Sequence, residues 1–108
     1  MFSKETHKAF CALEEIRRHN PVMPSASICC FLAIASDPGI TNQDLEKAAE
    51  IGQSAASRHV SILSETRYDG KPGMNLVEQV YEGDGRQLRL YLTPKGQRLA
   101  RRVEDILH

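Results

Sequence analysis

Residues 41–63 read TNQDLEKAAEIGQSAASRHVSIL. The stretch holds two short helices around a tight turn. Thr41 can accept a backbone N–H in the first turn, and Asp44 suits the positive end of the helix dipole. The first helix is expected from Asn42 to Glu50, with Leu45, Ala48 and Ala49 inward. Gly52 fits the turn, because glycine takes positive φ without strain. Ser54 can cap the second helix, which is expected to run to about Glu65. Ala56, Val60 and Leu63 recur at i, i+4 and i+7, the spacing of one buried face. The outer face then carries Ser54, Ser57, Arg58 and Ser61. Serine is a middling helix former, because its hydroxyl competes for nearby backbone groups. A face of small polar groups makes a poor core surface and a good surface for lying close to another body.

Upstream, residues 4–19 form a helix with Ala9, Phe10, Leu13 and Ile16 in one stripe, stopped by Asn20-Pro21. Residues 24–36 form a second helix, with Ile28, Phe31, Leu32 and Ala35 at the spacing of a buried face. Asp37-Pro38-Gly39 breaks the chain, and a short strand is expected at Ile40. Downstream, the loop TRYDGKPGMN at 66–75 leads into a strand at 76–81, LVEQVY. QLRLYL at 87–92 alternates strictly and puts Leu88, Leu90 and Leu92 on one face of a half-buried strand. EGDGR between the strands is a glycine-bearing hairpin turn. Thr93 and Pro94 then stand at the cap and first position of a last helix, with Leu99, Val103 and Ile106 inward. No internal repeat interrupts this order.

The chain has 108 residues, enough for one domain and one core. Apolar residues make up 41%, which excludes a disordered chain. No apolar run approaches the ~20 residues of a membrane span, and MFSKETHKAF is too polar for a secretion signal. The expectation is a soluble cytoplasmic protein with no membrane partner. Cys11, Cys29 and Cys30 have no second pair at metal spacing and read as buried reduced thiols. Net charge is zero. Residues 1–50 carry five basic and seven acidic side chains, and residues 51–108 carry nine and seven, so the second half is mildly basic. That balance permits a nucleic-acid partner without establishing one.

Several segments then fall in a familiar order: Thr41-Asn42-Gln43-Asp44-Leu45, SAASRHVSIL from Ser54 to Leu63, Asn75-Leu76-Val77-Glu78, Asp84-Gly85-Arg86 and Leu92-Thr93-Pro94-Lys95-Gly96. Over about residues 40–100 the chain resembles the winged helix-turn-helix domain, and within it the MarR-like transcription regulators. The resemblance implies a mainly α fold with a small antiparallel β-hairpin wing, an α+β winged helix-turn-helix. Residues 1–108 would form one domain: N-terminal helices at 4–36, the helix-turn-helix at 41–65, the wing at 76–92 and a C-terminal helix at 94–108. It also implies sequence-specific binding of double-stranded DNA by a transcriptional regulator, with repression the favoured role. The recognition helix, 54–65, would enter the major groove, which just admits a helix. Ser54 and the N–H groups behind it would meet a phosphate, Arg58 a guanine edge or a phosphate, and Gln53, Ser57 and Ser61 the bases. Thr41 would meet backbone phosphate. At the wing, 82–87, Arg86 would enter the minor groove with Asp84 orienting its guanidinium. Arg89, exposed on its strand, and Lys71 would add phosphate contacts.

Blander readings stand beside these. Ser54 also serves as a cap alone, Arg58 as a solvated partner of a carboxylate, Asp84 and Arg86 as turn residues, and His59 as a packing or solvent-facing side chain. Arg98, Arg101 and Arg102 read as a solvated helix face. The loop 66–75 looks longer than is usual for the family. The chain also stops after one C-terminal helix where relatives carry another. The apolar stripes of the first and last helices still favour a homodimer through the N- and C-terminal helices. No enzyme constellation, cofactor site or metal site is expected: Glu14 and Glu15 diverge by ~100° on a helix, and the four histidines are scattered. A small-molecule effector is left open. Two rival readings are a winged-helix protein-interaction module and a DNA-binding accessory protein of a phage or plasmid.

Overall fold

The fold follows from where each helix finds cover for its apolar side. A computed structural model describes residues 1–108. In chain order the elements are α1 (Lys4–His19), α2 (Ser25–Ser36), β1 (Ile40–Thr41), α3 (Asn42–Ala49), α4 (Gln53–Leu63), β2 (Val77–Glu82), β3 (Gln87–Leu92) and α5 (Pro94–Leu107). The strands form one antiparallel sheet in the order β1-β3-β2. Ile40 pairs with Leu90, and Val77 with Leu92, so the expected strand at Ile40 is present. No helix is long and apolar enough to cross a membrane.

The core runs from Ile16 through Phe31, Ile34 and Leu45 to Leu63, Leu76, Leu90 and Leu99. Leu90 and Leu92 are buried and Leu88 is half-buried, as strict alternation requires. Leu99 and Val103 are buried along α5 with Ile106 beside them, so that helix also matches its pattern.

Helices α1 and α2 depart from expectation in which face they bury. On α1 only Ile16 of the expected stripe is inside, joined by Ala12; Phe10 and Leu13 are exposed. The helix lies against α5 along one narrow line, where Glu15 accepts a 2.7 Å bond from Arg102. On α2, Ser27, Cys30, Phe31 and Ile34 are buried, while Ile28, Leu32 and Ala35 are half-buried. That helix is apolar almost all round, so spacing alone cannot choose its inner face. Cys29 is exposed and Cys11 half-buried, against the expectation of buried thiols. Burial pushes the Cys30 thiol up to about 11, and the neighbouring Cys29 adds to the shift.

The tight turn is also built differently. Helix α3 ends at Ala49, and Glu50, not Gly52, takes the left-handed conformation, with φ 54°. Ile51 N–H then donates to Glu46 O at 3.0 Å, the closure that wants a left-handed residue just beyond the helix. Gly52 has φ −78° and is the extended N-cap of α4. Ala48, expected inward, is exposed, whereas Leu45 is fully buried.

At the far end of α4 the chain folds back on itself. Met74, Leu76 and Asn75 donate their amides to the carbonyls of Ile62, Leu63 and Ser64. These bonds satisfy carbonyls that a helix end leaves open. They also end α4 at Leu63 rather than Glu65. Two glycines make the approach possible. A Cβ on Gly73 would lie 1.9 Å from Ser64 O, and one on Gly96 would lie 2.1 Å from Leu76 O. The Thr93-Pro94-Lys95-Gly96 junction thus has a packing reason. Thr93 Oγ1 accepts from Gly96 N at 3.0 Å and donates to Asn75 O at 2.7 Å, locking α5 onto the start of β2.

Candidate nucleic-acid interface

The inner side of α4 is pinned. Ala56, His59, Val60 and Leu63 are buried, and His59 Nδ1 lies 2.8 Å from the Ser27 hydroxyl on α2. Burial lowers the pKa of His59, and the charge on Arg58 lowers it further, so the ring stays neutral near pH 7. With that side fixed, Gln53, Ser54, Ser57 and Arg58 are held out in solvent on the other. Arg58 takes part in none of the ion pairs within the chain.

Ser54 does not cap α4. The helix begins one residue earlier, at Gln53, with Gly52 as an N-cap that offers no side-chain bond. Ser54 therefore sits in the first turn, where the leading amides point outward. Thr41 does cap α3, accepting from Asp44 N at 3.2 Å. Ser61 is half-buried rather than fully outward, and its oxygen accepts the backbone N–H of Tyr68 at 2.7 Å.

That bond ties the loop after α4 to the helix. Thr66 bridges to Pro72, Arg67 N donates to Lys71 O at 2.8 Å, and Gly70 N to Arg67 O at 2.9 Å. Asp69 accepts from Lys71 N and pairs with the Arg67 guanidinium at 3.5 Å. The long loop is thus a small closed hairpin. Lys71 is exposed on it, and so is Tyr68, whose side chain no sequence signal had singled out. Tyr68 stands beside Gln53, Ser54, Ser57 and Arg58, and together they line a concavity of about 460 Å³. A surface aromatic between two charged residues reads locally as loop; only the bond from Ser61 brings it to α4.

The wing is a second exposed projection. Gly83 and Gly85 have φ near 80°, and Arg86 has φ 51° with its N–H donating to Gly83 O at 3.0 Å. Asp84 and Arg86 are both exposed at the tip and form no ion pair with each other. Tyr91 on β3 donates to Glu82 at the end of β2, which raises the pKa of the phenol. Arg89 is not the free strand cation that alternation suggested. It is half-buried, donating to Gly39 O at 2.9 Å and to Gln87 Oε1 at 3.2 Å, and so fastens β3 to the turn before β1.

Arg102 is likewise held by Glu15, whereas Arg98 and Arg101 remain exposed. No three His, Cys, Asp or Glu side chains converge as metal ligands would. Two projecting polar surfaces are the α4 face with its flanking hairpin, and the wing tip.

No known family's sequence profile matches the chain, and no curated protein matches it. Solved structures do. RV1404 from Mycobacterium tuberculosis superposes with a TM-score of 0.71 at 18% identity, over 89% of this chain and 60% of that one. A MarR family transcriptional regulator from Silicibacter pomeroyi gives 0.65 at 17%, over 94% and 65%. The multiple antibiotic-resistance repressor (MarR) from Listeria monocytogenes gives 0.60 at 24%, over 94% and 70%. This chain spans about three fifths to two thirds of the length of the first two. At these identities the likeness establishes the fold: a MarR-like winged helix, α+β, with five helices and a three-stranded antiparallel sheet.

Proposed function

We propose that this chain binds double-stranded DNA sequence-specifically as a transcriptional regulator, and that it represses. Helix α4 lies in the major groove, and the wing tip at 82–87 reaches the minor groove. One observation carries the reading. The solvent face of α4 is built of Gln53, Ser54 and Ser57, with Arg58 as its single long donor and no internal partner. Short side chains let the helix axis approach the base edges, where an arginine makes a bidentate pair with guanine. The outward amides of the first turn favour a phosphate. At the wing, exposed Arg86 suits a narrow minor groove, whose potential attracts arginine. Lys71 adds a phosphate contact, and Thr41 another from the start of α3. Arg89, already bonded to Gly39 O, acts by holding the sheet.

The regulator works as a homodimer through its N- and C-terminal helices. Phe10 and Leu13 on α1 and Leu107 on α5 are exposed apolar side chains that a second copy would cover. Two copies would read half-sites about 34–36 Å apart. The solved regulators of this fold support the assignment in kind. An interaction module would instead need an apolar exposed patch on α4 or on the wing; the exposed face of α4 is polar, and the wing exposes a single large apolar side chain, Tyr81.

Selection from a pool of random duplexes, repeated at about 50 and about 200 mM salt, tests the reading. The expected result is one enriched motif with two related half-sites, and affinity that falls steeply with salt. Equal binding of all duplexes, or none at the lower salt, overturns it.

A further inference from the structure

Tyr68 is 76% exposed, although its backbone amide is tied to α4. Its amide is bound by Ser61 Oγ of α4, and the loop around it closes through the Thr66–Pro72 bridge and the Arg67–Asp69 pair. An aromatic this exposed buries little within the chain. It does complete a concave surface with Gln53, Ser54, Ser57 and Arg58. That surface is polar on the helix side and aromatic on the loop side.

We infer that Tyr68 is a sequence-determining contact, packing its ring against a thymine methyl at the edge of the major groove. The inference rests on the groove reading of α4 given above and extends it to a residue outside that helix. The chemistry is specific to one base. In the major groove thymine alone presents a methyl group, and apolar side chains read it by contact. Arg58 and the serines can satisfy acceptors and donors on neighbouring bases, but none of them offers apolar area. Tyr68 supplies it on the same wall. Ser61 is a positioning residue: its oxygen holds the amide of Tyr68 and so fixes where the ring stands.

The test uses the duplex selected by the unaltered protein, with Tyr68→Ala, Ser61→Ala and Arg58→Ala compared at one salt concentration. Tyr68→Ala should bind that duplex about tenfold more weakly, the scale of one lost base contact. It should lose preference at one thymine in each half-site, with affinity for unrelated duplexes and the salt slope unchanged. Replacing that thymine by uracil, which removes only the methyl, should weaken the parent protein several-fold and leave Tyr68→Ala unaffected. Ser61→Ala should blur the same position and no other, while a Tyr68→Phe protein keeps it. If Tyr68→Ala binds and selects as the parent does while Arg58→Ala fails, the loop contact is overturned and the groove reading stands. Weakening by Tyr68→Ala on all duplexes alike also overturns it. If Arg58→Ala too behaves as the parent, the groove reading falls and the inference with it.

Discussion

Two helices of this chain present a face to water, and the faces are opposites. On α1 the exposed side carries Phe10 at 60% and Leu13 at 51% exposure. On α4 it carries Gln53, Ser54, Ser57 and Arg58. Each helix is anchored by its other side, α1 through Ala12 and Ile16, α4 through Ala56, Val60 and Leu63. The first exposed face invites an apolar partner, whose binding is insensitive to salt. The second invites a polar, charged partner, whose binding is not. A helix can thus be amphipathic in either sense and still have two occupied sides; what differs is which side the chain itself occupies.

The largest expected effect comes from the apolar face. Replacing Phe10 and Leu13 together by Glu should convert a dimer into monomers in sedimentation. It should also weaken binding to a two-half-site duplex by about 100-fold, because linkage between half-sites is lost. A dimer that survives this change would move the interface elsewhere and break the contrast. Next comes the polar face. Arg58→Ala should weaken the selected site by about tenfold or more, leave the dimer intact, and relax one base pair per half-site. Arg86→Ala at the wing should act more evenly, about threefold across all sequences, with the salt slope shallower by about one.

The smallest effect sharpens the comparison from beneath α4. Burial holds the pKa of His59 below the ordinary 6.5. The unfolded chain therefore binds a proton at a pH where the folded one resists it, and stability is lost as pH falls below about 6.5 and is intact above it. His19, also lowered mainly by burial, adds with the same sign. Thermal melts between about pH 7 and about pH 5 should show a falling Tm. His59→Gln should flatten part of that slope. An unchanged slope would mean that the burial of His59 does not resist its protonation.

Much of the framework around the candidate site was legible because its signals are local. Thr41 accepts from an amide three residues on, and Thr93 from another at the same spacing. The glycines of the wing sit where positive φ is needed, and the leucines of β3 alternate as a half-buried strand must. The errors fell where a distant part of the chain decides. Arg89 looked free on its strand, but its partner, Gly39 O, is 50 residues away. Ser61 looked fully outward, but it is half-buried and its oxygen accepts from the amide of Tyr68. Ser54 looked like a cap, but the cap of α4 lies two residues earlier, at Gly52.

From its sequence alone, this chain determined the order of its elements, the caps of α3 and α5 and the polar character of the face on α4. Those properties depend on periodicity and on bonds between near neighbours, and every one can be read within a few residues. Only the tertiary structure decided which apolar stripes are covered, which arginines are spoken for, and that Tyr68 stands against α4. These are outcomes of competition between surfaces far apart along the chain. A side chain's spacing records that it can be buried or bonded, and the packed fold selects the partner.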